Sequence, residues 1–275
     1  WKIKELRACE ISGIEGANMI MRRIREHAGK QNWFAVAIDL VIVVLGVFLG
    51  TQVSNWNADR LAQERGHTYR ARIVRDIADN EHDMQARRAY YLQVKRFSER
   101  VLADLDGVAR APDEELLIDA YQATQIYPRP MVRSSYDEAV SMGALDTLGD
   151  DAVRQKIANY YVAVTTSEAT FRNVPQYRET ARRGIPYHAQ ERIRTNCAEQ
   201  MATSATGFVT LSLPEHCDLD LSREELARAA ARVRAIPEIE LDLTRHLADI
   251  DQKLIQFDRS EQRARLLGAE LAALR

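Results

Sequence analysis

The chain has 275 residues, 28% of them charged, and a formal net charge of −2. That is ample length for a packed core, with no overall bias toward nucleic acid or anionic lipid. Gly (12) and Pro (7) are few, and with abundant Ala, Arg, Glu and Leu they predict an all-α fold. The modest aromatic content is mostly Tyr, so no nucleobase-stacking platform and no nucleic-acid partner is expected.

Residues 1–18 lack an initial methionine and carry no clear pattern, so a natural start at Met19 or Met21 is expected. Arg22, Arg23, Arg25 and Lys30 follow. Residues 33–53, WFAVAIDLVIVVLGVFLGTQV, then form the one apolar run long enough to cross a bilayer, and Asp39 is its sole charge. A spanning helix needs roughly 17–25 such residues. Trp33 and Trp56 stand about 34 Å apart on a helix, where interfacial tryptophans belong.

Gly46 and Gly50 make a GxxxG pair. At about 100° per residue, Asp39 falls within about 20° of the same stripe. The stripe is a candidate helix–helix contact, and therefore a possible route to a homo-oligomer. The place of Asp39 near the start of the run favours a structural role over a proton relay. The Lys/Arg excess before the run favours a cytoplasmic N-terminal tail (1–32). The domain after the transmembrane helix (54–275) would then lie outside the cytoplasm. The long apolar run and the lack of a small-x-small cleavage site predict an anchor retained in the mature protein.

QNWFAVAIDLVIVVLGVFLGTQVSNWNADR, followed by YRARIVRDIADNEHDM, resembles a family of single-span bacterial membrane proteins defined by a domain of unknown function. The resemblance rests on the early acid Asp39, the Gly-containing core, Gln52 and the Asn55-Trp56-Asn57 turn. A second block, residues 134–161, resembles the family's Tyr-rich helix, small-Gly-x-Leu turn and following helix. Residues 185–235 fall outside it. The resemblance implies a bacterial inner-membrane anchor and a helical periplasmic domain, and it carries no activity.

Past Trp56 a long helix is predicted. Ile77, Met84, Tyr91 and Leu105 keep a seven-residue beat, with Ile73, Val94 and Val101 on a companion beat. Such a stripe reads as core or coiled-coil seam. Asn80, Arg87 and Ser98 interrupt it. The helix should stop near Asp106-Gly107, and Pro112 should open a shorter one ending before Tyr127. The prolines of YPRPMVRSSY (127–136) break helix, and Arg129 and Arg133 read as surface cations in preference to anion ligands. Helix resumes over 134–142, with Gly143 as its cap.

The next helix should start near Asp150, bury Val153, Ile157, Tyr160, Val164, Phe171 and Val174, and break at Pro175. Gly184 with Pro186 is a firmer stop. Cys197 and Cys217 bracket nineteen residues. A disulfide there would stabilise by ~3 kcal/mol, and two buried thiols are the alternative. GFVTLSL within the bracket is the single strand-like run. Ser222 and Glu225 form a capping box for a helix through about Arg234, and Pro237 is expected in the first turn of the last helix. There Ile236, Leu243, Ile250, Phe257, Ala264 and Leu271 recur every seven residues, with Leu247 and Leu254 between them. This helix should pack antiparallel on the first one or self-associate.

The chain therefore reads as a membrane helix followed by an elongated helical bundle or coiled-coil-like domain with one disulfide-closed loop. No cofactor is implied. Glu64-x-x-His67 and Asp79-x-x-His82 lie about 22 Å apart on one helix, too far to share a metal. HExxH, P-loop, GxGxxG, GxSxG and zinc-ligand spacings are absent from the sequence. His188, Glu199 and His216 give no nucleophile–base pair with a cysteine. An anchored interaction or assembly protein of the bacterial envelope, with an unknown envelope partner, fits best. A ligand-binding sensor relaying through a partner is the alternative, and an enzyme of unrecognised type is third.

Overall fold

The computed structural model describes residues 33–205 and 207–274. The basic tail before Trp33, with Cys9 and the expected start sites, lies outside them. The described residues are mostly helical, with one small hairpin. Its elements are α1 (Trp33–Leu105), α2 (Asp113–Gln122), α3 (Ser134–Ser141), α4 (Asp151–Phe171), α5 (Gln176–Gly184) and α6 (Tyr187–Asn196). They are followed by β1 (Gln200–Thr203), β2 (Val209–Ser212), α7 (Arg223–Arg234) and α8 (Ile239–Ala273). The chain divides into two compact units, Trp1–Leu61 and Ala62–Arg275.

In the first unit, every described residue is helical and exposed. This part of α1 is long and apolar enough to cross a membrane, and none of its apolar window is buried within the chain. The Thr51 hydroxyl donates to the Phe48 carbonyl (2.8 Å), so the helix satisfies that polar group internally.

The second unit is a helical bundle built on α1 and α8. Ile73, Ile77, Met84, Tyr91, Val94 and Val101 of α1 are buried, and Leu105 packs at the edge of the core. The two helices are antiparallel. Arg265 Nε meets Glu81 (3.0 Å), Arg88 Nε meets Asp258 (2.8 Å) and Lys95 Nζ meets Asp251 (2.6 Å). Each step forward on α1 is thus matched by a step back on α8. The Phe257 ring packs, tilted, against Tyr91 and Phe171 with centroids 5.5 and 4.6 Å apart, which ties α4 into the same layer. Gly66 lets α1 approach the turn Leu145–Thr147 closely, because any Cβ there would collide with the Thr147 carbonyl.

Local stop signals act where the sequence places them. Gly107 and Gly143 take positive φ (72° and 63°) just beyond α1 and α3. Asp150 caps α4 by accepting from Val153 N at 2.9 Å. Ser222 and Glu225 form the complete capping box of α7. Pro112, Pro175 and Pro186 stand immediately before α2, α5 and α6.

Three expectations need correction. Val174 is exposed, because α4 already ends at Phe171. Pro237 precedes the last helix: α8 starts at Ile239 after Glu238 turns left-handed (φ 61°). The companion beat of α8 is not Leu247 and Leu254 but His246, Lys253, Ser260 and Leu267, all buried. The two leucines lie one position off the inward face, at its margin.

Candidate functional site

Asn80, Arg87 and Ser98 do not interrupt the buried face of α1; they belong to it, with no exposed surface. Ser98 donates to the Val94 carbonyl of its own helix (2.8 Å); for Asn80 and Arg87 the reason lies in the loop before α3. Pro128 and Pro130 have no N–H and preclude helix or ladder pairing there, so the neighbouring peptide groups need side-chain partners. Side chains of α1 at helical spacing supply them. The Tyr91 hydroxyl accepts from Tyr127 N (3.3 Å). Arg87 donates to the carbonyls of Tyr127 (3.0 Å) and Arg129 (2.5 Å). Asn80 grips Val132 twice, through its N–H and its carbonyl, both at 2.7 Å. Asp76 accepts from Ser135 N at 2.9 Å, and Glu168 of α4 accepts from Met131 N at 2.6 Å.

Arg87 also pairs with Asp83 (2.5 Å) and lies over the rings of Tyr127 and Phe171 at 4.9 and 5.5 Å. Burial pushes the Asp83 carboxyl up by more than the neighbouring guanidinium pulls it down. Desolvating this pair is therefore expensive, and its structural return is the fixed course of the loop. Arg129 is exposed, and Arg133 forms a two-bond pair with Asp137 at 2.7 and 2.8 Å. Both behave as surface cations.

The same helix fastens the disulfide-closed loop. Cys197 and Cys217 are bonded, with Cα atoms 5.7 Å apart. The loop they close contains the β1–β2 hairpin, registered Gln200 to Ser212. Tyr90 donates to Glu199 (2.7 Å), Gln93 accepts from Leu213 N (2.7 Å) and Arg96 meets Glu215 (3.0 Å). None of these partners is visible in the sequence, because each joins residues more than a hundred positions apart. At the far end of α1, burial alone would raise the Asp104 carboxyl, but Arg234 and the Ala111 amide hold it below its usual range.

On α8, His246 is buried against Tyr177, the rings stacked at 5.5 Å and 11°. Its Nε2 lies 3.0 Å from the Ala123 carbonyl and therefore carries the proton, while Nδ1 has no partner among the described residues. Burial pushes its pKa down to about 4. Lys253, one heptad further, sits with its amine 5.0 Å from the centre of the Tyr91 ring, and burial lowers its pKa too.

Trp33, Trp56, Asp39, Gly46 and Gly50 are all exposed, and a Cβ added at either glycine would meet nothing. The structure therefore brings none of them against another part of the described chain. His67 and His82 are exposed on α1. Among the described residues no group of three or more His, Cys, Asp or Glu is placed to hold a metal. An apolar groove of about 780 Å³ runs between α4 and α8, with Val162, Ala163, Leu266 and Leu267 in its walls and the Lys156–Glu270 pair (2.5 Å) along it. Comparison with family models, curated proteins and solved structures finds no match to this chain, so its own residues must carry the functional reading.

Proposed function

We propose that the chain is a membrane-anchored helical interaction and assembly module of the bacterial envelope, without catalytic activity. In this reading residues 33–53 sit in the inner membrane, the N-terminal tail is cytoplasmic, and the bundle from Ala62 onward is periplasmic. The observation that carries it is the complete exposure of the apolar stretch of α1. A core helix of that hydropathy would be buried by its own fold; this one has no cover among the described residues, and lipid is the solvent that suits it. The Cys197–Cys217 bond fits an oxidising compartment.

Asp76, Asp83, Arg87, Asp104 and Asp119 are committed to backbone groups or to one another's partners within the bundle. Two exposed faces offer contacts: the Asp39–Gly46–Gly50 stripe and the groove beside Leu266, which is 65% exposed.

A photo-crosslinking residue placed at Gly46 or Leu266 of the full chain in cells tests this. A discrete crosslinked species is expected from each position, the first weakened by Gly50→Leu and the second by Val162→Arg. Monomer alone at both positions would remove the assembly role.

A further inference from the structure

Helices α5, α6 and α7 surround a cavity of about 580 Å³ lined by Arg182, Arg183, Tyr187, His188, Arg228 and Arg232, among others. Four arginines therefore line one space, with a single carboxylate, Glu225, among the lining residues. That carboxylate is already used: it accepts from the Ser222 amide (2.9 Å) and hydroxyl (2.7 Å) in the capping box.

Arg183, Arg228 and Arg232 have little other compensation, whereas the Arg182 guanidinium also lies over the Tyr121 ring at 4.6 Å. Arg182 is half-buried and donates to two neutral acceptors, Thr124 Oγ1 (2.9 Å) and Gln125 Oε1 (3.2 Å). Burial lowers its pKa, and the nearby cations Arg178 and Arg194 lower it further. Arg228 meets Glu224 only at 3.6 Å, on an exposed surface. Arg183 and Arg232 have no ion pair among the described residues. Acceptors in the cavity wall are also consumed: Gln190 Nε2 donates to the carbonyls of Arg182 (2.6 Å) and Ile185 (2.8 Å). The first turn of α6 opens on the same space with no acidic residue and no side-chain cap, which adds partial positive charge there.

We propose that this cavity binds a phosphate-bearing anion, with Arg183, Arg228 and Arg232 pairing with its phosphoryl oxygens and Arg182 adding positive charge from the wall. Planar guanidinium forks match phosphoryl oxygens two at a time. Even three exceed what one carboxylate could neutralise, whereas a di- or polyanionic phosphate balances them. The volume admits a small phosphate ester or a lipid headgroup. The proposal gives the sensor role left open by the sequence a ligand class, and it stands apart from the anchoring reading, since it concerns residues of the second unit alone.

Full-length protein in a neutral detergent is titrated calorimetrically with inorganic pyrophosphate at fixed ionic strength. Saturable 1:1 binding is expected, weakened at least about tenfold in Arg183→Gln/Arg232→Gln. Both side chains are exposed, so an unchanged tyrosine near-UV spectrum is expected from a folded variant. Arg192→Gln, which removes an exposed pair with Asp220, should bind as the parent does. Competition by short-chain phosphatidylglycerol, and none by short-chain phosphatidylcholine, would assign the site to anionic lipid headgroups; pyrophosphate binding without that competition would assign it to soluble phosphates. No saturable binding by the parent, or equal binding by the double variant, overturns the proposal.

Discussion

Replacing Arg87 by Met is expected to destabilise the bundle by about 3–5 kcal/mol, the usual cost of leaving a buried charge without its partner. The substitution keeps much of the apolar stem but deletes three bonds at once. Asp83 loses its cation, and the carbonyls of Tyr127 and Arg129 lose their donor. The prolines on either side of Arg129 prevent the loop from rebuilding those bonds with its own amides. A second substitution separates the two costs. Asp83→Leu in the Arg87→Met background removes the stranded carboxylate, so much of the loss should return, leaving the share due to the unsatisfied carbonyls. Urea unfolding followed by tyrosine near-UV CD measures both. All three tryptophans (Trp1, Trp33 and Trp56) precede Ala62, so tyrosine signals dominate the report from the bundle. A loss under about 1 kcal/mol for the single variant would mean that Arg87 does not hold the loop.

The second large effect is acid destabilisation through His246. Its folded pKa of about 4 lies below the ordinary value of 6.5, so between those values the unfolded chain binds the proton and the folded chain does not. Stability is therefore greatest above pH 6.5 and falls as pH drops through 4. The shift corresponds to about 3 kcal/mol when the loss is complete. Protonation would place a cation against Tyr177 in the core, near Lys253, which already disfavours it. His246→Phe retains an aromatic ring but cannot titrate. The variant should be less stable than the parent at pH 7.5, where the Ala123 bond is lost, and the difference should shrink or reverse by pH 4. A parent–variant difference constant from pH 7.5 to 4 would show that His246 does not titrate in this window. Using the difference cancels carboxylates such as Asp104, whose own losses fall at lower pH.

Most of the helical framework was legible because its signals are local or periodic. Asp150, the Ser222–Glu225 box, Gly107 and Pro112 each act within a turn of the helix end that they mark. The apolar beats of α1 and α8 mark which faces meet. What escaped was the polar part of the same faces. A hydrophobic pattern discards Asn80, Arg87, His246 and Lys253 as interruptions, yet each is buried because a particular backbone group or ring waits for it. Leu247 and Leu254 illustrate the converse error: an apolar residue near the right beat displaced the polar residue on it. The cationic cavity was invisible for another reason. Arg182 and Arg232 are fifty positions apart, and only the packing of α5 and α6 against α7 brings their charges to one space.

The most direct test concerns the solvent of residues 33–53. Membranes carrying the full chain are washed with alkaline carbonate and then extracted with mild detergent, and the mass of the recovered chain is measured. Retention through the wash, release only by detergent and a mass that includes the apolar stretch are the expected results. Release of that intact chain by carbonate alone, or its recovery from the soluble fraction before any wash, would contradict an anchor in lipid.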